Sequence, residues 1–318
     1  MDSFFEYSIF GNKEPIQQKQ SIALTIGNFD GVHAGHCFLI EELKKISQNK
    51  PLVVLTFDPH PASFFATGRA PFLLTQLSDK ISLLLKLGVQ TVVVQKFTQQ
   101  FALLEASEFC LWLQKNFNIF AMMLGHDFCY GKDRQGQFQH IKDFGYKKGW
   151  KIEQAEELKF EATQRVSSSL IRQALMQGNV QKAENLLRRP YFLSGVVVKG
   201  DQRGRLIGFP TANLRLEEDL VIPRHGVYAC EVEIFAYPKM LPAVMNCGFR
   251  PTLTAGLKFQ IEAHILNFFE DIYEKEVKFY LKKFLREEKK FDKMEMLQEQ
   301  IKKDIEVAKI FFQGVSSF

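Results

Sequence analysis

Cysteine, long apolar runs and blocks of like charge are what this sequence has least of, and each shortage closes off a class of protein. The five cysteines, Cys37, Cys110, Cys129, Cys230 and Cys247, are an odd number with no C-x-x-C pair. That argues against a disulfide framework and against a structural zinc site, and it predicts a reducing, cytoplasmic setting. No stretch approaches the roughly 18 consecutive apolar residues of a membrane span. The opening segment MDSFFEYSIFGNKEP has no basic region ahead of a long apolar run, so it does not read as a signal peptide. A soluble chain with no membrane partner is expected. The 41 basic and 36 acidic residues are interspersed, and the formal charge of +5 is not gathered into a dense block. Such a balance suits small anionic ligands, and no nucleic-acid partner is expected.

What is present is an ordinary globular composition, 46% hydrophobic and 24% charged, which excludes disorder. At 318 residues the chain is long for a single core and predicts two domains. In the first half, short apolar runs at Ile22–Ile26, Leu52–Phe57, Thr91–Gln95 and Ala121–Leu124 alternate with helical patterns at His36–Ile46, Ser78–Leu87 and Glu105–Asn116. Strands alternating with helices imply a parallel sheet covered on both faces, with ligands at the carboxyl ends of the strands.

The stretch TIGNFDGVHAGH, Thr25 to His36, falls at such an end. It is neither G-x-x-x-x-G-K-[ST] nor G-x-G-x-x-G, yet it has the physics of an anion site. Gly31 and Gly35 let backbone approach a ligand, and a helix starting near His36 aims free N–H groups at it. His33 and His36, three apart, can face one phosphate; the alternative is that they merely cap or pack. RVSSSLIRQAL, Arg165 to Leu175, sets Ser167, Ser168 and Ser169 at the start of a helix with Arg172 one turn inside. One serine is explained as an N-cap, while three with an arginine look like a second phosphate clamp. In GHDFCYGKDRQG, Gly125 follows a strand and Asp127 either reaches a nucleotide's ribose or adenine side or shapes a turn.

From about Arg188 the pattern changes to period two. Phe259, Ile261, Ala263 and Ile265 share one face, Gln260, Glu262 and His264 the other, and Val277, Phe279 and Leu281 repeat the alternation. Short alternating strands separated by Gly and Pro predict a small antiparallel barrel or sandwich. A closing helix is announced by Asp292 and Glu295 as a capping box and Phe291 with Met296 as a staple, followed by the stripe Met294, Leu297, Ile301, Ile305, Ala308 and Phe312. Its charged face is expected only to be solvated. Between these elements, GDQRGRLIGFPTANL offers amides and cations for phosphates. Thr211 and Asn213 then either hold a hydrated Mg²⁺ or bond local backbone.

Together GNFDGVHAGH, TFDPHP, GHDFCYG and VSSSLIR resemble the adenylyltransferase module of the bifunctional bacterial FAD synthetases, within the H-x-G-H nucleotidyltransferase superfamily. H-x-G-H is shared with class I aminoacyl-tRNA synthetases, but no K-M-S-K-S-like stretch is present. GRLIGFPTANL, GVYAC, NCGFRPT and IEAHIL resemble, in order, the riboflavin kinase module of the same family. The resemblance implies an α/β fold: a Rossmann-like nucleotidyltransferase domain with a parallel sheet over 1–186, and a small antiparallel β-barrel with a terminal helix over 187–318. It further implies phosphorylation of riboflavin to FMN and adenylylation of FMN to FAD, with Mg²⁺ as cofactor and ATP, riboflavin and FMN as substrates. A kinase with an inactive nucleotide-binding first domain is the alternative. Glu262 becomes the kinase base, Thr211 and Asn213 the Mg-ATP ligands, and Gly204, Arg205, Gly208, Asn246 and Arg250 further binding residues. His33 and His36 become the transfer-site histidines. Gly27, Asn28, Phe29, Asp30, Gly31, Gly35, Gly125, Asp127, Ser167, Ser168, Ser169 and Arg172 complete the first site, Asp30 shaping the turn or neighbouring the metal. A monomer or weak homo-oligomer is expected.

Five positions depart from the family pattern. Cys129 and Tyr130 stand for Arg and Phe, which removes a cation. Ser169 stands for Thr, Arg188 for a Gly in the linker, and Glu274 for a Gly in a turn.

Overall fold

In a computed structural model of the chain, the described residues are 6–65, 73–161, 163–200, 204, 207–216, 220–235, 237–252 and 256–315; at 249–252, 256–259 and 315 only the backbone is described. They pack as two compact units, Met1–Pro71 with Leu77–Ser168, and Phe72–Gln76 with Ser169–Phe318. The helices Ser168–Met176 and Val180–Leu187 thus pack mainly with the second unit, although they precede the 186/187 division read from the motifs.

The sheet of the first unit is written by the buried apolar runs. Its strands are β1 (Tyr7–Gly11), β2 (Ile22–Ile26), β3 (Leu52–Asp58), β4 (Thr91–Lys96), β5 (Ile119–Leu124) and, after the small pair β6 (Cys129–Tyr130) and β7 (Gly136–Gln137), β8 (Lys151–Gln154). A second small pair, β9 (Lys159–Phe160) and β10 (Gln164–Arg165), follows. The order is β1-β4-β3-β2-β5-β8, parallel except for the edge strand β1. That antiparallel edge was not anticipated, because Tyr7–Gly11 is half-exposed and carries no apolar run. The helices Ala34–Ile46, Leu77–Lys86 and Ala106–Asn116 begin within two residues of their sequence signals. Along β2, Ile22, Leu24 and Ile26 enter one core while Ala23 enters the core on the opposite face, which is why the run is apolar without alternation.

Strand order positions the site. From β2 the chain moves outward through β3 and β4, then crosses back so that β5 lies on the other side of β2. Connections leaving β2 and β5 therefore diverge and open a crevice at their carboxyl ends, the place where open α/β sheets bind ligands.

The second unit contains β11 (Phe192–Val198), β12 (Ala212–Arg215), β13 (Gly226–Ile234), β14 (Leu241–Thr252), β15 (Gly256–Ile265) and β16 (Glu276–Arg286). They close into a barrel in the order β11-β12-β15-β14-β13-β16, every pair antiparallel. The period-two reading holds: Ile261, Ala263 and Ile265, and Val277, Phe279 and Leu281, are all buried. On the outside, Val227, Ala229 and Val244 are covered by Ala308, Ile305 and Phe312 of the helix Met294–Val315.

Two expectations about that helix need correction. It begins at Met294, one residue later than Asp292 as N-cap requires, and Met294 and Met296 are about half exposed rather than packed. Its charged face is not merely solvated, since Asp304 is buried and receives hydrogen bonds from Nε and Nη2 of Arg286 at 2.7–3.1 Å and from Gln300 at 2.9 Å. The reason is tertiary: β16 ends in a cation that needs a buried partner. Arg188 and Glu274, standing for the family's glycines, keep left-handed backbone with φ of 56° and 64°. Both residues carry the strain of that backbone.

Candidate active sites

The first site is built from a turn that the backbone makes at a cost. After β2, Phe29 and Val32 adopt φ of 51° and 42°, although both are buried and Val is β-branched. Such conformations cost about 1–3 kcal/mol each and persist where surrounding structure enforces them. Here the enforcement is visible. Thr56 Oγ1, at the end of β3, donates to the Asn28 carbonyl at 3.1 Å, and Ser168 Oγ donates to the Asp30 carbonyl at 2.9 Å. Gly31, at φ 81°, completes the reversal.

The turn delivers His33 as the extended N-cap of Ala34–Ile46. The His33 backbone N–H donates to His36 Nδ1 at 3.2 Å, and the two imidazoles stack with centroids 3.7 Å apart and planes 14° from parallel. A Cβ on Gly35 would stand 3.2 Å from the His33 ring and press on the stack. A Cβ on Gly27 would likewise press on the Phe29 ring at 3.2 Å. Burial, then His33, then Lys80 hold His36 well below the ordinary imidazole range. The ring is therefore neutral near pH 7, and with Nδ1 accepting, its proton sits on Nε2 as a donor. Capping and ligand contact are thus compatible, because each uses a different nitrogen.

After β5, Gly125 leads into Asp127, which pairs with Arg165 of β10 at 2.6 Å. Desolvation works against ionisation there, but Arg165, the residue's own backbone amide and Arg134 outweigh it and hold the carboxyl below its usual range. A Cβ on Gly125 would meet only Asp127 Oδ1, at an ordinary 3.7 Å, so this glycine is not required by packing. At Cys129, burial raises the thiol against the opposing influence of the nearby Arg134 guanidinium. The turn after β6 thus brings a guanidinium near this position. The Tyr130 hydroxyl contacts Cys110 Sγ at 3.3 Å and His140 Nδ1 at 2.6 Å, so the added oxygen has partners. Ser167 is half-buried in the approach to the helix Ser168–Met176, in which Ser169 is exposed and Arg172 half-buried.

The second site lies on the outer wall of the barrel. Asn213 on β12 is directly opposite Glu262 on β15, which is opposite Asn246 on β14. Partners in antiparallel register share a face, so the three form one transverse row. Asn246 is also the partner of Val227, placing the row on the face that the terminal helix covers elsewhere. Two glycines give the row room. A Cβ on Gly200 would lie 2.4 Å from the Asn213 amide nitrogen, and one on Gly204 would strike the Phe209 carbonyl at 2.4 Å and crowd Thr211 Oγ1 at 3.4 Å. Gly200 had been assigned no role from sequence. Gly208 supplies the positive φ, 84°, that turns the chain into Pro210 and Thr211. Asn246 Nδ2 donates to Glu288 Oε1 at 3.1 Å. Arg205 lies outside the described residues, and of Arg250 only the backbone, in β14, is described.

Thr211 and Asn213 offer neutral, hard oxygen donors in a cradle that any side chain on Gly200 or Gly204 would fill. That donor set fits Mg²⁺, which keeps several waters and favours nucleotide phosphates. Among the described residues no cluster of three or more His, Cys, Asp or Glu forms a metal cage.

Comparison with known proteins matches each half of the chain to a family. A model of the FAD synthetase family matches residues 15–170, and a model of the riboflavin kinase family matches residues 187–312. The bifunctional riboflavin kinase/FMN adenylyltransferase of Escherichia coli K12 is 40% identical over 297 residues, covering 92% of this chain and 94% of its own. That of Bacillus subtilis is 36% identical over 305 residues, covering 94% and 95%. Among solved structures, a Streptococcus pneumoniae protein described as a macrolide-efflux protein has a TM-score of 0.81 at 32% identity, over 91% of this chain and 94% of that one. No helix among the described residues here is long and apolar enough to cross a membrane. With both halves matched in order and the curated relatives aligned over nearly their whole length, the chain belongs to the bifunctional riboflavin kinase/FMN adenylyltransferase family.

Proposed function

We propose that the chain converts riboflavin to FMN in its second half and FMN to FAD in its first, using one ATP for each step, with the motif-based division at 186/187 separating the activities. The observation that carries the kinase assignment is the register pair Asn213–Glu262, which sets an acceptor for the nucleotide's metal beside a carboxylate. Glu262 takes the proton of riboflavin's terminal ribityl hydroxyl as that oxygen attacks the γ-phosphate and ADP leaves. Thr211 and Asn213 would hold Mg²⁺, which when bound would offset charge on the phosphates. Phosphoryl transfer asks mainly for positioning and electrostatics, so a short row of side chains on a rigid wall suffices.

In the first half, an oxygen of the FMN phosphate attacks the α-phosphate of ATP and pyrophosphate departs. The nucleophile is already anionic, so no enzyme base is needed. The helix N-terminus and the Nε2–H of His36 meet charge on the transferred group, Gly31 and Gly35 admit it, and Ser167, Ser168, Ser169 and Arg172 hold the departing phosphates. Asp127 orients the nucleoside. Incubating the purified protein with riboflavin, Mg²⁺ and excess ATP, and separating flavins by chromatography over time, tests the scheme. FMN that rises first and then passes to FAD is the expected course. FMN that accumulates without FAD would leave only the kinase.

A further inference from the structure

Gln260 stands two residues before Glu262 on β15, so its side chain emerges on the same outer face. Its Nε2 reaches both Asn213 Oδ1 on the neighbouring strand and Glu262 Oε1 at 2.9 Å. A primary amide nitrogen has two hydrogens, and here each is directed to a different member of the site. Opposite Gln260 stands Gly248, over which the Glu288 carboxylate lies: a Cβ there would be 1.8 Å from Glu288 Oε1. The Gln260 amide thus bridges the Asn213 carboxamide and the Glu262 carboxylate.

We infer that Gln260 is a positioning residue for riboflavin phosphorylation, one carboxamide that orients the Glu262 carboxylate and the Asn213 amide oxygen together. This inference rests on the roles given above to Glu262 and Asn213. Donation to Glu262 Oε1 fixes the torsion of the carboxylate beside Asn213. Donation to Asn213 uses one lone pair of the amide oxygen and leaves the other for the hydrated metal. The strands hold the Cα positions and Gln260 holds the torsions, which β-sheet register alone leaves open.

The test compares Gln260→Met, which keeps length but has no donor, with Gln260→Glu, which keeps shape but adds a like charge. Losing the donor lowers kcat for FMN formation roughly 10–100-fold, the usual effect of removing a group that orients a ligand. Gln260→Glu, which cannot donate when ionised, lowers kcat at least as far. Calorimetric titration with Mg-ADP adds a readout independent of turnover, and weaker binding by both variants is expected. FAD formation from supplied FMN serves as the control for folding and stays unchanged. An Mg-ADP affinity equal to that of the parent chain would overturn the inference, even if kcat fell. Glu262→Gln, run in parallel, separates the two levels: if it abolishes phosphorylation while Gln260→Met is silent, positioning alone fails, and if it is itself active, the underlying assignment fails.

Discussion

In the first unit the candidate site is held by backbone, whereas in the second it is held by register. The turn after β2 spends strained φ values at Phe29 and Val32, a positive-φ glycine and two hydroxyl-to-carbonyl bonds to aim one helix N-terminus. The barrel spends no comparable strain on its row: Asn213, Glu262 and Asn246 stand on three adjacent strands, and antiparallel pairing aligns them. A site made of orphan N–H groups needs the chain itself to be shaped, while a site made of side-chain oxygens needs only a stiff wall and something to set the torsions. The two should accordingly fail in different ways.

The largest effect expected is independent loss of each activity. Glu262→Gln lowers FMN formation about 10²–10⁴-fold, the usual worth of a general base, and leaves FMN adenylylation intact. Unchanged FMN formation by the variant, followed by chromatography, would remove Glu262 from the mechanism. His33→Ala combined with His36→Ala lowers FAD formation from FMN by about 10²–10³-fold, comparable to losing preorganised donors elsewhere, and spares the kinase. Survival of FAD synthesis in that double variant would make the turn structural only.

A smaller effect sharpens the contrast through pH. His36 is held well below 6.5 in the folded chain, first by burial and then by His33 and Lys80. Between that depressed value and about 6.5, the unfolded chain binds a proton that the folded one refuses. The resulting stability is fully present above about pH 6.5 and is lost as pH falls through the folded value. Thermal melts between pH 7.5 and 5 should show this slope for the parent chain and a reduced slope for His36→Gln; equal slopes would contradict it.

The smallest effect concerns turns away from either site. Arg188→Gly and Glu274→Gly each relieve a left-handed side-chain residue, at φ 56° and 64°. The steric relief, partly offset by the entropy of a freer unfolded chain, leaves a gain of about 0.5–1 kcal/mol per site. Chemical denaturation of the single variants reads this directly, and a loss of stability would show that the side chains make contacts worth more than the strain.

Much of the fold was legible because both halves write their period plainly. The buried runs of the parallel sheet and the alternation at Ile261–Ile265 and Val277–Leu281 reappear as observed strands. The edge strand β1 and the burial of Asp304 were not legible, since one lacks a hydrophobic signature and the other depends on where Arg286 emerges. Likewise, nothing local to Cys129 records that the Arg134 guanidinium comes near enough to oppose the rise of its thiol.

By itself the sequence determined the local chemistry: a glycine-histidine turn ahead of a helix, a Thr-x-Asn strand start, and a carboxylate on the polar side of an alternating strand. These are contiguous patterns, and their physics acts over a few bonds. Only the tertiary structure decided which of them meet. Strand order put the β2 and β5 turns into one crevice, and barrel register set Glu262 opposite Asn213 with Gln260 bonded to both. Those outcomes depend on pairing between segments far apart in the chain, where hydrogen-bond ladders and burial choose the partner and no local pattern records the choice.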